Sequence, residues 1–404
     1  MISVEDALQR LLAPLSPLAA EQIPVADGLG RVLAEDLVAR RTQPPFAVSA
    51  MDGYAVRAAD VAQVPARLRI VGAAPAGSAF SGTLRPGEAV RIFTGAPVPA
   101  EADCVVIQEN ASREGDWVTV RESAASGRHI RPEGLDFRTG AVGLPAGRAL
   151  TARDIGLAAA MNRPWLMVHR RPRVAILATG DEIVMPGDPL GPHQIVSSNA
   201  LALAALVTAT GGIPVQLGIA GDDAATLQRM AAGAAGTDLL VTTGGVSVGE
   251  HDLVREALAR TGLDIDFWSI AMRPGKPLMV GRFQGTPMLG LPGNPVSSLI
   301  CALLFLKPAM ERLLGLPAHA SAMLSARLAV PLAANDRRQD YLRAVRRIAA
   351  DGALEVEPFA KQDSSMLSLL SRADCLIVRR PHAPAASAGE PVPIIPFAAG
   401  LLSL

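Results

Sequence analysis

The stretch LLVTTGGVSVGEHDLV, residues 239–254, passes from apolar and β-branched residues to two glycines and then to three ionisable side chains. The first five residues favour a buried strand, and Gly244 and Gly245 end it. Residues 249–262 then show the apolar spacing of a helix. A buried strand, a glycine turn and a helix form the repeating unit of an α/β fold.

The same alternation extends from Arg173 to about residue 318. The clearest segments are the strands VAILAT (174–179) and IPVQLGIA (213–220) and the helices SSNALALAALVTATGG (197–212), DDAATLQRMAAGAAG (222–236) and NPVSSLICALLFLKPAMERLLG (294–315). Asn294 suits the N-cap of the last helix, and Pro295 suits its first turn. The alternation therefore predicts a parallel, doubly wound sheet.

The residues on either side of this domain show different patterns of apolar and polar residues. Residues 1–40 have a helical pattern, and Thr151 with Asp154 has the spacing of a capping box that begins another helix. Short alternating segments divided by Gly and Pro fill residues 65–146, and similar segments run from about residue 323. We predict a multi-domain α/β protein with four domains. They are a discontinuous helical N-terminal domain (1–45 and 147–172, whose first helix is a candidate to pack on the α/β domain), a β-rich insertion (46–146), the central doubly wound α/β domain (173–318) and a small C-terminal β-barrel (319–404).

The composition excludes several classes of protein. With 404 residues, of which 50% are hydrophobic and 19% charged, the chain can form about two to four folded domains. Lys+Arg and Asp+Glu are both 38, so no net charge attracts nucleic acid. The N-terminus has no secretion signal, and no apolar run approaches the ~20 residues of a membrane span. We therefore expect a cytoplasmic protein with no nucleic-acid or membrane partner.

The cysteines and histidines do not indicate a zinc site. Cys104, Cys301 and Cys375 lie in apolar contexts without CxxC spacing, which favours buried, reduced thiols. The six histidines lack HxxxH or HExxH spacing. A zinc enzyme is therefore not expected.

Acidic side chains follow three strands of the predicted sheet, in residues 179–182, 221–223 and 243–252. The carboxyl ends of parallel strands meet at one edge, where glycines let backbone N–H groups approach an anion. Acidic loops that meet there repel one another unless a cation lies between them, and carboxylate and phosphate oxygens suit Mg²⁺. For Asp181 and Asp223, capping of a helix explains the residue equally well.

A basic loop adds the opposite charge. Arg273 and Lys276 lie three residues apart in RPGKP (273–277), which suits an oxyanion such as phosphate or molybdate, although a solvated turn charge is the alternative. In LPGNPVS (291–297), Pro292 and Pro295 stiffen the start of a helix whose N-terminal N–H groups attract anions. The sequence thus predicts a phosphate site with an acidic, metal-binding side and a basic side.

Six motifs together resemble the molybdopterin molybdenumtransferases. They follow the family order over nearly the whole chain: SAMDGYAV (49–56), IFTGAPVP (92–99), LATGDEIV (177–184), TGGVSVGEHD (243–252), AMRPGKP (271–277) and GLPGNPVSS (290–298). The resemblance implies an enzyme that binds adenylated molybdopterin, inserts molybdate into it and cleaves the phosphoanhydride with Mg²⁺, which releases AMP. It also implies a homodimer with shared active sites, and contact with the molybdopterin adenylyltransferase and with the enzymes that accept the cofactor.

The resemblance also implies a set of site residues. Those expected to act in catalysis are Asp52, Thr94, Asp136, Glu182, Asp222 and Asp252, of which Glu182, Asp222 and Asp252 would hold Mg²⁺. Those expected to bind substrate or molybdate are Gly180, Gly244, Gly245, Ser247, Arg273, Lys276, Pro292, Gly293, Asn294, Pro295, Arg343, Ser364 and Ser365. Relatives often have lysine where this chain has Arg273, and the planar, permanently charged guanidinium argues against proton transfer there. For His251, an exposed position at a helix start is favoured over acid–base chemistry.

Two other functions fit parts of the sequence. The first is a molybdopterin-binding carrier or scaffold with little turnover, since related domains in gephyrin-like proteins also have a structural role. The second is the adenylyltransferase step itself, against which the N-terminal 170 residues and the C-terminal barrel argue. The acidic residues at 182, 222 and 252 and the two cations of the RPGKP loop favour the molybdate-inserting enzyme.

Overall fold

The computed structural model describes residues 1–245, 257–318 and 322–397 and confirms the predicted multi-domain α/β fold. The first part of the chain is mostly β-structure. Its elements are α1 (Val4–Leu12), β1 (Ala20–Pro24), β2 (Leu37–Val38), β3 (Val48–Ser49), β4 (Gly53–Val56), β5 (Ala66–Ala74), β6 (Glu88–Ile92), β7 (Cys104–Ile107), β8 (Ala111–Glu114), β9 (Trp117–Val120), β10 (Ile130–Arg131), β11 (Val142–Leu144), α2 (Ala152–Ala160) and β12 (Trp165–His169), with 3₁₀ turns at Val25–Asp27, Ala58–Val61 and Gln108–Asn110.

The helical pattern read over residues 1–40 is wrong beyond the first helix. Ser3 caps α1 as expected, because its hydroxyl oxygen accepts a hydrogen bond from the Asp6 N–H at 3.0 Å. After Pro14 and Pro17 the chain instead forms β1, which pairs antiparallel with β12. That pairing joins segments about 145 residues apart. The sequence pattern of residues 20–24 alone could therefore not predict the strand pairing.

The β-rich insertion forms a six-stranded sheet in the order β7-β4-β6-β5-β9-β8. Buried residues cover both of its faces and form two separate apolar clusters, one around Tyr54 and Leu68 and the other around Leu84 and Ile92. Among the described residues, no hydrogen bond, ion pair or strand pairing joins residues 46–146 to residues 173–397. The insertion is therefore a separate layer from the α/β region of the same chain.

The middle of the chain is the predicted doubly wound region. Its elements are β13 (Arg173–Thr179), β14 (Ile183–Val184), β15 (Ile195–Val196), α3 (Asn199–Ala209), β16 (Ile213–Ala220), α4 (Ala224–Ala231), β17 (Leu239–Thr243), β18 (Leu263–Ser269), β19 (Met272–Arg273), β20 (Pro277–Phe283), β21 (Thr286–Leu291), α5 (Pro295–Cys301) and α6 (Lys307–Leu313), with a 3₁₀ turn at Ala232–Ala234 and a π-helical turn at Ala302–Leu306 between α5 and α6. Buried residues of α1, α3, α5 and α6 pack on one face of the sheet, and those of α4 pack on the other.

The sheet of this region is mixed, whereas the sequence predicted a parallel one. Its order is β16-β13-β17-β21-β20-β18; the first four strands pair parallel to one another, and β20 pairs antiparallel with both β21 and β18. Gln284 and Gly285 both have positive φ, 48° and 85°, and form a two-residue hairpin loop that makes β20 antiparallel to β21. The parallel strands end level, since Ala178 pairs with Thr243 and Thr243 pairs with Leu291.

The C-terminal part is a closed barrel of five strands, as predicted. Its elements are β22 (Leu324–Leu328), β23 (Gln339–Ile348), β24 (Leu354–Pro358), α7 (Leu367–Arg372), β25 (Cys375–Arg379) and β26 (Pro391–Pro396). The order β23-β24-β22-β26-β25 is closed by pairing of β25 with β23. The short strand β19 also pairs with β23, which joins the loop before β20 to the barrel. Within the described ranges, no helix is both long and apolar enough to cross a membrane.

Candidate active site

A cavity of about 510 Å³ opens at the carboxyl ends of β13, β17 and β21. It lies where ligands bind in open α/β sheets. The residues that line it are Ala178, Glu182, Ile183, Ile195, Val196, Ser197, Ser198, Asn199, Thr243, Gly244, Gly245, Pro277, Pro292, Gly293, Asn294, Pro295 and Ser297. The structure thus brings together seven of the residues predicted from the sequence: Glu182, Gly244, Gly245, Pro292, Gly293, Asn294 and Pro295.

Glycines allow the loops of this cavity to approach closely. Gly244 has φ +93°, and a Cβ there would lie 2.3 Å from the carbonyl oxygen of Thr179, so no side chain fits. Gly180, at φ +135°, lies directly under the Glu182 carboxylate. A Cβ on Gly293 would lie 3.5 Å from the Gly244 Cα, so the loops after β17 and β21 are nearly in contact. The predicted glycines therefore bring backbone into the cavity wall.

Asn199, at the start of α3, is a cavity residue that the sequence analysis missed. Its Nδ2 donates to the carbonyl oxygen of Gly293 at 2.7 Å and to Thr243 Oγ1 at 2.9 Å. The segment Ser197-Ser198-Asn199 was noted only as the beginning of a helix. The available sign was a run of three polar residues before an apolar helix, since the N-terminus of a helix at this sheet edge faces the ligand site.

The acidic residues of the strand ends have three different environments. Asp223 caps α4, because its carboxylate accepts hydrogen bonds from the N–H groups of Ala225 and Thr226, at 3.1 and 3.0 Å. Hydrogen bonds from the Thr226 side chain and N–H hold the pKa of Asp223 below its usual value. The capping alternative is therefore correct for Asp223. Asp181 caps no helix and instead accepts a hydrogen bond from the Asp222 N–H at 2.8 Å, which ties the ends of β13 and β16 together.

Glu182 and Asp222 are the two predicted Mg²⁺ ligands that the structure describes. Both side chains are exposed, and neither carboxylate has a hydrogen-bond or ion-pair partner among the described residues. Free carboxylate oxygens are the donors that Mg²⁺ prefers, so these two residues fit the ion. Among the described residues, no three His, Cys, Asp or Glu side chains lie together in a group that could hold a metal ion. The third predicted ligand, Asp252, lies outside the described residues, as do Ser247 and His251.

The two cations of the RPGKP loop are not equivalent. Arg273 forms a bidentate ion pair with Asp340, a buried carboxylate on β23, with Nε 2.9 Å from Oδ1. This hydrogen bonding raises the pKa of Arg273 above its usual value. A further ion pair joins its Nη1 to Asp336 at 3.5 Å. Lys276 has no ion pair within the described ranges, and the next residue, Pro277, lines the cavity. Lys276 is thus the cation of this loop that is free to meet an anion.

The barrel contacts the cavity through Ser364. Its Oγ accepts a hydrogen bond from Asn294 Nδ2 at 3.0 Å, and its carbonyl oxygen accepts one from the Val296 N–H at 3.1 Å. Ser365 instead donates its hydroxyl to Asp363 at 2.6 Å. Of the two predicted serines, Ser364 is therefore the one bonded to the cavity loop.

Arg343 lies behind this serine loop and is only 1% exposed. Its Nη1 donates to the carbonyl oxygen of Asp363 at 2.9 Å, and its Nε donates to Gln362 Oε1 at 3.2 Å. Burial lowers the pKa of Arg343 below its usual value. The guanidinium thus holds the 362–366 loop in place. Through these contacts Arg343 supports the position of Ser364.

The predicted residues of the insertion form a second group. Asp52 and Thr94 are in direct contact, because Asp52 Oδ1 accepts hydrogen bonds from both the N–H and the hydroxyl of Thr94, each at 2.8 Å. These bonds lower the pKa of Asp52, the backbone bond most. Asp136 lines a cavity of about 460 Å³ together with Gly95, the residue after Thr94. The two cavities share no lining residue.

Comparison with known proteins covers nearly the entire chain. Three family models match: MoeA N-terminal region (domain I and II) over residues 2–162, Probable molybdopterin binding domain over residues 175–312, and MoeA C-terminal region (domain IV) over residues 325–397.

Individual relatives agree with these matches. Molybdopterin molybdenumtransferase 2 of Mycobacterium tuberculosis is 42% identical over 326 residues, which are 76% of this chain and 80% of that protein. The molybdopterin molybdenumtransferase of Haemophilus influenzae is 33% identical over 405 residues, 98% of this chain and 99% of that protein. Two solved structures of the molybdopterin biosynthesis MoeA protein from Pyrococcus horikoshii match with TM-scores of 0.85 and 0.84, at 30% and 27% identity. They cover 99% and 98% of this chain and 100% of each of those chains.

Proposed function

The chain belongs to the molybdopterin molybdenumtransferase family, enzymes that insert molybdenum into molybdopterin, and we propose that its substrates are adenylated molybdopterin and molybdate. We propose further that Mg²⁺-dependent cleavage of the phosphoanhydride accompanies insertion and releases AMP. The observation that carries this proposal is the cavity at the level ends of β13, β17 and β21, with glycine loops on its walls and the free carboxylate of Glu182 at its rim.

The walls of this cavity suit a phosphorylated ligand. Gly244 and Gly245 have positive φ, 93° and 64°, and leave their backbone unshielded by side chains. The first residues of α5 lie on the opposite wall, where the N-terminus of a helix attracts negative charge. Pro292 and Pro295 add apolar surface against which a flat pterin ring can lie.

In the proposed reaction Glu182 would hold Mg²⁺, with Asp222 and Asp252 as the other ligands. When bound, the ion would neutralise phosphate charge and so favour the departure of AMP. Lys276 would receive molybdate or a phosphate oxygen, since its ammonium has no described partner. Ser364, held against Asn294, would contribute a hydroxyl to the molybdate side of the cavity. Arg273 would dock the RPGKP loop on the barrel through Asp340.

We propose that the active site is completed across a homodimer. Asp52 and Thr94 belong to an insertion that has no described hydrogen bond or ion pair to the α/β region of its own chain. A second copy would bring its insertion to the cavity, with Asp52 ionised and its Oδ2 free of described partners. We also propose a cytoplasmic location, and contact with the molybdopterin adenylyltransferase and with the enzymes that accept the cofactor.

The test is a direct assay of AMP release from adenylated molybdopterin by the purified protein. Release that requires both molybdate and Mg²⁺ is the expected result. Tight binding of the adenylated substrate without release would replace the proposal with a carrier function. If the protein, treated with a chelator and given no metal, released as much AMP as with Mg²⁺, the proposed requirement for Mg²⁺ would be wrong.

A further inference from the structure

We propose that Asn199 is a positioning residue that sets the separation between the two loops on either side of the cavity. The inference deepens the proposed function, on which it rests, because these loops are the ones assigned to the phosphorylated substrate. They follow β17 (Gly244 and Gly245) and β21 (Pro292 and Gly293). Asn199 belongs to neither loop and comes from α3, a third element of the fold.

Two hydrogen bonds from one amide connect these elements. Asn199 Nδ2 donates one hydrogen to the carbonyl oxygen of Gly293 at 2.7 Å and the other to Thr243 Oγ1 at 2.9 Å. The Thr243 hydroxyl donates in turn toward the carbonyl oxygen of Pro292, at 3.4 Å. The loop after β21 is thus held twice, directly by Asn199 and indirectly through Thr243.

The chemistry of the two acceptors fixes the orientation of the amide. The Gly293 carbonyl can only accept, so the Asn199 atom that faces it must be the –NH₂ group. An aspartate at position 199 would place an acceptor against that carbonyl, and an alanine would leave it without its donor. Neither replacement could hold the loop where asparagine holds it.

Gly293 faces Gly244 across the cavity, because a Cβ on Gly293 would reach ordinary van der Waals contact with the Gly244 Cα, at 3.5 Å. Loss of the amide removes the hydrogen bond that holds Gly293 in place, so the loop can move away from Gly244 and widen the cavity. A wider cavity separates the backbone groups that contact the ligand on its two sides. The effect falls mainly on substrate affinity, since Asn199 contributes no group that gains or loses a proton.

A double-mutant cycle tests the proposal with Asn199→Ala, Thr243→Val and the two combined. We expect Asn199→Ala to raise both the Kd for molybdopterin and the KM for adenylated molybdopterin about tenfold, while kcat at saturation changes less than about threefold. Thr243→Val, which preserves shape, is expected to raise them about threefold, and the double variant to resemble Asn199→Ala alone. Independent effects, which multiply to about thirtyfold, would overturn the proposed connection through Thr243.

The control is Asn162→Gly, which removes an asparagine after α2 that lines neither cavity and whose φ of 62° suits glycine. It should leave both constants unchanged. A molybdopterin Kd in Asn199→Ala equal to that of wild type would overturn the inference. Absence of AMP release from the wild-type enzyme would instead count against the proposed function, and the molybdopterin Kd would still decide the role of Asn199.

Discussion

Thr94 donates two hydrogen bonds to a single oxygen of Asp52, one from its backbone N–H and one from its hydroxyl, each 2.8 Å long. The two residues lie 42 positions apart, in different loops of the insertion. Since both bonds favour the ionised carboxylate, they explain why the pKa of Asp52 is lowered. Thr94 therefore both orients Asp52 and keeps it charged.

Thr94→Val tests this relationship. It removes the hydroxyl bond, so the pKa of Asp52 rises toward its ordinary value. If activity needs the ionised carboxylate, activity is lost as the pH falls through the pKa of Asp52. The acid limb of the pH–rate profile therefore lies at higher pH in Thr94→Val than in wild type. Thr94→Ser keeps both donors and should retain the wild-type profile. An unchanged acid limb in Thr94→Val would exclude Asp52 as the group that limits activity in acid.

Lys276 and Arg273 should differ in their effects on activity and stability. Lys276→Met removes the cation without a described partner, and we expect the KM for molybdate to rise about tenfold with little change in melting temperature. Arg273→Met leaves the buried Asp340 carboxylate without its described partner and should cost about 3 kcal/mol of stability. Steady-state kinetics and thermal melts of the two variants decide the matter. Equal losses of molybdate affinity would contradict the separation of roles.

Gly244→Ala should abolish binding of molybdopterin. The new Cβ would lie 2.3 Å from the Thr179 carbonyl, so the loop after β17 must shift out of the cavity wall. The matched control is Gly285→Ala at the tip of the β20–β21 hairpin. That glycine has a similar φ, 85° against 93°, but open space around its Cβ, and it should lose only the ~1 kcal/mol of left-handed backbone strain. Titration of molybdopterin into both variants separates steric contact from strain.

Variants that lack different parts of the proposed shared site should complement one another. Asp52→Ala and Glu182→Gln are each expected to be inactive as homodimers. After unfolding and refolding together they should regain about a quarter of wild-type activity, since half of the dimers are mixed and each has one intact site. Failure to regain activity, with mixed dimers verified by mass, would place Asp52 and Glu182 in the same chain's site.

The three cysteines should be unreactive in the folded protein. All three are buried, and burial raises the pKa of the Cys104 thiol to about 12, so almost no thiolate is present at neutral pH. Iodoacetamide at pH 8 should label none of them in native protein and all of them in denaturant. Rapid labelling of native protein would show that one of these sites opens.

The sequence predicted those residues of the cavity lining whose position depends on local pattern. A glycine turn after an apolar strand marks a sheet edge, and this placed Glu182 and Gly244 on one cavity. It did not predict the uses of Arg273 and Arg343, which are set by Asp340 and by the 362–366 loop of the barrel. Such partners lie 19 to 67 residues away along the chain, and no periodicity connects them.

Asn199 was missed for a related reason. An asparagine at the start of a helix has a sufficient local explanation as a cap, although here neither Asn199 nor Ser198 caps α3 with its side chain. In the folded protein α3 packs on β16 and β13, and this places the Asn199 amide against Thr243 of β17 and Gly293 of the loop after β21. A local explanation that fits can therefore hide a contact made in the folded protein.

The most direct test of the central claim is to measure AMP released and molybdenum inserted in the same reaction, for wild type and for Glu182→Gln. The account predicts equal amounts of the two products from the wild-type enzyme, and the loss of both together in Glu182→Gln while the fold is retained. Molybdenum inserted without AMP, or a Glu182→Gln variant with wild-type turnover, would contradict it.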